Sequence, residues 1–111
     1  MSVKEITPDQ MFILSEICAE RRRQDEKFGE QNHPFFSSRN KAYPEELTLK
    51  NQLKLIRERI QEAKYGWFDI LVEEICEAFL ETEPEKQRKE MIHVAAVAVA
   101  IIEYLDRRKP E

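Results

Sequence analysis

The chain has 111 residues, the length of one ordinary domain and too short for two. Apolar residues make up 41% and charged residues 36%, which excludes a membrane-embedded protein and a low-complexity tail. The net charge of −4 argues against a general nucleic-acid coat protein, and two glycines are too few for a turn-rich β-sandwich or a doubly wound α/β fold.

Glu, Lys, Arg, Leu, Ile and Ala dominate, and most of these are helix formers. An all-α, four-helix bundle-like single domain spanning residues 1–111 is therefore expected. The first helix starts at a capping box, with Thr7 as N-cap, Pro8 at the first helical position and Gln10 reaching back. Met11, Leu14 and Cys18 supply its apolar stripe, with Phe28 in register, and Gly29 ends it. Residues 29–46, rich in Pro, Asn and Ser, show no helical period. A loop that long in a small domain is either functional, as a lid over substrate, or disordered.

From Leu47 the period returns. Leu49, Leu53, Ile56, Ile60 and Ala63 alternate spacings of four and three, the seam of a bundle helix that Gly66 interrupts. A third helix follows from Trp67, with Phe68, Leu71, Ile75 and Ala78 inward. Thr82 and Glu85 form a second capping box, and the last helix runs to about Arg108 along Met91, Val94, Ala98, Ile101 and Leu105. Its middle, HVAAVAVAII, is apolar nearly all round, which predicts burial on more than one side. In so small a domain that burial implies a homodimer or homotetramer.

No apolar run is long enough to span a bilayer, and the N-terminal MSVKEITPDQ lacks a signal-peptide core. Cys18 and Cys76 show neither CxxC nor zinc spacing, consistent with two reduced thiols in a cytoplasmic protein.

The informative feature is the placement of acids on the last two helices. Glu74 and Glu77 share a helix face at the margin of the apolar stripe, and Glu90 and His93 repeat that three-residue spacing on the final helix. Glu74 lies eight residues before Thr82 and Glu90 eight after it. In an antiparallel hairpin both fall roughly 12 Å from the turn, so three carboxylates and an imidazole converge. Like charges that close require a cation or a raised pKa, and hard oxygen ligands suit Mg²⁺ or Mn²⁺. The plainer alternative is solvated glutamates paired with Arg88 or Lys89.

Glu73-Glu74-Ile75-Cys76-Glu77, then twelve residues, then Glu90-Met91-Ile92-His93, resembles the EExxE…ExxD signature of the MazG-like all-α nucleoside triphosphate pyrophosphatases. The flanks agree: Trp67-Phe68-Asp69-Ile70-Leu71-Val72 precedes the first motif and Val94-Ala95-Ala96-Val97-Ala98 follows the second. The string from Glu20 to Gly29, then Gln31-Asn32-His33-Pro34, is similar to a phage- and actinobacterial-type branch of that family. The resemblance implies Mg²⁺-dependent cleavage of a nucleoside triphosphate to monophosphate and pyrophosphate. It makes Glu74, Glu77 and Glu90 metal ligands, with His93 at the fourth position. It also makes Glu73 and Glu74 the catalytic pair, Glu73 standing behind the metal or orienting the attacking water.

His93 stands where the signature has Asp, and imidazole binds Mn²⁺ or Zn²⁺ better than Mg²⁺. The site then uses fewer ligands, prefers a softer metal, or has become a non-catalytic nucleotide-binding or dimerisation module. Glu90-x-x-His93 is also one half of a di-iron motif, which a single chain cannot complete.

A triphosphate needs further cations. The resemblance favours Arg23, Gln24, Lys27, Asn32 and His33. Lys50, Lys54, Arg57 and Lys64 offer a second basic row, and Trp67, Phe35 or Phe36 an aromatic face for a base. The expected partner is a nucleoside triphosphate, with no stable nucleic-acid binding and no membrane.

Overall fold

A computed structural model describes residues 5–36 and 45–108. These residues form four helices and no strand: α1 (Pro8–Phe28), α2 (Glu45–Gln61), α3 (Trp67–Leu80) and α4 (Pro84–Arg107). The all-α expectation holds. The chain divides into two compact units, Met1–His33 with Val99–Glu111, and Pro34–Ala98. No helix among the described residues is long and apolar enough to cross a membrane.

In the first unit, α1 begins at the predicted box. The Gln10 N–H donates to Thr7 Oγ1 at 3.1 Å, and the Thr7 N–H donates to Gln10 Oε1 at 3.3 Å. Gly29 closes the helix at φ 68°, a left-handed conformation that costs glycine little, and its N–H donates to Asp25 O at 2.8 Å. Burial departs from the expected stripe. Ile13 is the buried residue of α1, whereas Met11, Leu14, Cys18 and Phe28 are exposed. Ile13 lies with Ile17 and Ile102 along one depression, so the covered line runs through Ile13 rather than through Met11 and Leu14.

In the second unit, α2 packs on α3. The helix is described from Glu45, two residues before the expected Leu47. Of the predicted loop, residues 37–44 lie outside the described residues. The seam is as predicted at Leu53 and Ile56, which are buried, and at Leu49 and Ile60, which are half-buried. It fails at Ala63. The helix ends at Gln61 with Ala63 at φ 59°. The Lys64 N–H donates to Arg59 O at 2.9 Å and the Ala63 N–H to Ile60 O at 3.0 Å. This pair of bonds is a Schellman ending, with alanine in the position glycine normally fills. Gly66 therefore does not break α2.

Gly66 instead opens α3, where its N–H donates to Asp69 Oδ2 at 3.0 Å. Asp69 is buried, and Arg59 Nε approaches its Oδ1 at 2.9 Å as an ion pair off the hydrogen-bond axis. The end of α2 is thus tied to the start of α3. Asp69 takes the inward position on that first turn, which leaves Phe68, expected to face inward, 65% exposed. Further along, Cys76 and Ala78 are buried, and Leu71 and Ile75 are half-buried.

The turn into α4 also differs from expectation. Glu81 Oε1 accepts the Thr82 and Glu83 N–H groups at 3.1 and 3.3 Å, in place of a Thr82–Glu85 box. Pro84 then begins the helix, where its missing N–H costs nothing. No residue of α4 is fully buried; Met91, Val94 and Val97 are half-buried, and Ile92, Ala95 and Ala96 are exposed.

Candidate functional site

The acids of α3 and the acid and imidazole of α4 lie in the second unit. One ligand atom each from Glu74, Glu90 and His93 falls within 4.8 Å of the other two. His93 Nδ1 is 3.3 Å from Glu90 Oε2, one helical turn earlier, and 3.8 Å from Glu74 Oε2 on the neighbouring helix. Glu74 Oε2 is itself buried and makes no hydrogen bond. The chemistry of this donor set fits a divalent cation. Opposed ligands around Mg²⁺ stand about 4.2 Å apart, twice a bond of ~2.1 Å, so a small contraction would close the three groups on an ion.

Electrostatics favour the same conclusion. Burial pushes the Glu74 carboxyl above its ordinary range, the Glu77 charge adds to that push, and His93 opposes it; Glu90 and Glu73 raise it further. A carboxylate that is both partly desolvated and crowded by its own sign gains from a bound cation.

The other two acids of the motif have a different partner. Arg57, on α2, places Nη2 3.4 Å from Glu77 Oε1 and Nε 3.8 Å from Glu73 Oε2. Of the four expected ligands, Glu74, Glu90 and His93 come together and Glu77 turns to Arg57. The acids therefore meet Arg57 and His93, not Arg88 or Lys89. Between Glu73 and Glu77 on the chain, the Cys76 thiol is buried, and burial raises its pKa; it is a core residue rather than a nucleophile.

Of the expected nucleotide contacts, Lys54 is exposed on α2 and Trp67 is half-buried at the start of α3. The rest sit in the first unit. Arg23 pairs with Glu20, whose carboxyl it holds below the usual range, chiefly through the hydrogen bond. Gln24 accepts from Arg21 at 2.7 Å, Lys27 lies 5.2 Å from the Phe28 ring centre, and Asn32 donates to Glu30 at 3.4 Å. His33 is exposed. Arg23, Gln24, Lys27 and Asn32 are thus engaged with neighbours on their own helix or loop.

Phe35 and Phe36 both approach Phe79, with ring centres 5.0 and 6.1 Å apart. With Thr48, Leu49 and Ile75 they line a mainly apolar cavity of about 400 Å³.

The chain matches no protein-family model, no curated protein and no solved structure.

The residue that sequence reasoning placed least well is Arg57. It stood as one of several lysines and arginines in a basic row. The signal that it is special is its position next to the buried Ile56, at the edge of the α2 seam, from which a long side chain reaches the facing helix.

Proposed function

We propose that the protein is a metal-dependent nucleoside triphosphate pyrophosphohydrolase, releasing a nucleoside monophosphate and pyrophosphate. The observation that carries this reading is the meeting of Glu74, Glu90 and His93 around a buried carboxylate oxygen that has no hydrogen-bond partner. Such a triad holds Mg²⁺ or Mn²⁺, with Mn²⁺ favoured by the imidazole. A divalent ion there supplies charge neutralisation for the phosphates and acidifies water for attack on phosphorus. The protein's part is positional. Glu74, Glu90 and His93 hold the ion, Glu73 orients the attacking water, and Glu77 lies one turn along α3 to complete the ligand set. Lys54 offers charge to the triphosphate, and Trp67 an aromatic face to the base. Arg23, Gln24, Lys27, Asn32 and His33 keep the nucleotide-binding roles that the resemblance to MazG-like enzymes implies.

A homo-oligomer belongs to the same proposal. Phe12 is 69% exposed on α1 and Ile92 51% exposed on α4, beside Ala95 and Ala96. Apolar surface of that extent on a short chain is covered by a second copy at little cost.

The competing reading, a non-catalytic nucleotide-binding or dimerisation module, is favoured by the imidazole at the fourth position. Pyrophosphate release from a panel of nucleoside triphosphates, with Mg²⁺ and with Mn²⁺, separates the two. Release by the native protein and its loss in Glu74→Gln supports the enzyme. A folded protein that releases nothing with any nucleotide or metal supports the module.

A further inference from the structure

Arg57 is the one cation that reaches from α2 to the two motif acids outside the triad, among the described residues. Its guanidinium stands 3.4 Å from Glu77 and 3.8 Å from Glu73, whereas Glu74, Glu90 and His93 gather on their own. The acidic face is therefore divided: half is neutralised by the protein, and half holds a carboxylate oxygen with no hydrogen bond. Arg57 is more than half exposed, so the pair is held loosely and can exchange.

We infer that Arg57 is an exchangeable counter-ion. In the metal-free protein it occupies Glu77 and Glu73. When a divalent cation enters the triad it draws in Glu77, one helical turn from Glu74, and the freed guanidinium turns to the polyphosphate that arrives with the metal. The planar fork of Arg suits both tasks, since it matches a carboxylate and a phosphate oxygen pair equally well. Arg57 is thus a positioning residue that links loading of the metal to capture of the phosphates. This inference rests on the metal-site reading above.

The test uses Mn²⁺ and inorganic tripolyphosphate as probes on the full chain. Mn²⁺ affinity is measured by the loss of the free-ion electron paramagnetic resonance signal, and binding of the Mn²⁺–tripolyphosphate complex by calorimetry. Arg57→Gln keeps the side-chain stem and removes the charge; Lys50→Gln removes the same charge from an exposed position on the same helix. Arg57→Gln should tighten Mn²⁺ binding about threefold to tenfold and weaken the tripolyphosphate complex at least fivefold, while Lys50→Gln stays within twofold of native Mn²⁺ affinity. Damage to the fold would weaken metal binding, so tightening is not a structural artefact. Native Mn²⁺ binding with an unchanged or weakened affinity in Arg57→Gln overturns the inference and leaves the metal site standing. Tightened Mn²⁺ without loss of tripolyphosphate, or an equal gain in Lys50→Gln, overturns it as well. Absence of Mn²⁺ binding by the native chain removes the metal-site reading itself.

Discussion

Glu74 and His93, nineteen positions apart in the chain, stand 3.8 Å from each other across the α3–α4 turn. The contact joins an acid with one buried, unbonded oxygen to an imidazole that also meets Glu90 at 3.3 Å. Three groups from two helices thereby face a common point, and the local balance of charge follows from it.

Glu74 sets a pH dependence of stability. Its pKa is raised above the ordinary 4.5, mainly by burial. The folded chain therefore holds this proton more tightly than the unfolded one. The resulting stabilisation is complete below the unfolded value and is lost as pH rises through the folded value. At neutral pH without metal, Glu74→Gln should melt about 1–3 °C above the native protein, a gain that vanishes near pH 4. Mn²⁺ should raise the melting temperature of the native protein and leave that of the variant unchanged. Thermal scans at two pH values, with and without the ion, check both statements.

In the proposed metal site, His93 is the group expected to set the metal preference. Imidazole favours Mn²⁺ over Mg²⁺, whereas carboxylate oxygen suits either. His93→Asp should tighten Mg²⁺ at least tenfold and narrow the Mn²⁺/Mg²⁺ affinity ratio, as measured by calorimetry. A ratio that does not move would show that His93 is not a ligand.

Ala63 marks a strained helix end. A left-handed conformation costs an L-residue with a β-carbon roughly 1–2 kcal/mol and costs glycine almost nothing, less the entropy glycine gains in the unfolded chain. Ala63→Gly should therefore stabilise the protein by about 0.5–1 kcal/mol in urea unfolding. Gly66, which forms the start of α3, would not respond in the same way to a change of side chain.

Ile92 tests the proposed oligomer. Half of its surface is open on the face of α4 that also carries Ala95 and Ala96. By sedimentation the native chain should exceed its monomer mass of 13.3 kDa, and Ile92→Glu should return it to that mass. A native monomer would remove the oligomer from the proposal.

Periodicity and capping chemistry carried the helices far. The Thr7–Gln10 box, the Gly29 stop and the Leu53–Ile56 seam are local patterns, and each is present where the residues predict it. The misplacements share one cause. Spacing alone extends the seam to Ala63 and the inward face to Phe68, but the backbone has already turned at Ala63, and the buried Asp69 holds the inward position beside Phe68. Glu81 likewise took the capping role expected of Thr82. Each choice is between two neighbouring residues, and it is decided by contacts that a one-dimensional period does not contain.

Helix identity was written in the chain because propensity, apolar period and end signals act within a few residues. So was the approach of Glu74 to Glu90 and His93, since a short turn between two helices fixes which positions lie level. The division of labour among the acids was not. Whether Glu77 joins the triad or turns to Arg57 depends on how α3 packs on α2, the two helices that bury Ile56 and Cys76. Charges on separate helices attract or repel according to angles and distances of a few ångströms, and only the packed fold supplies them.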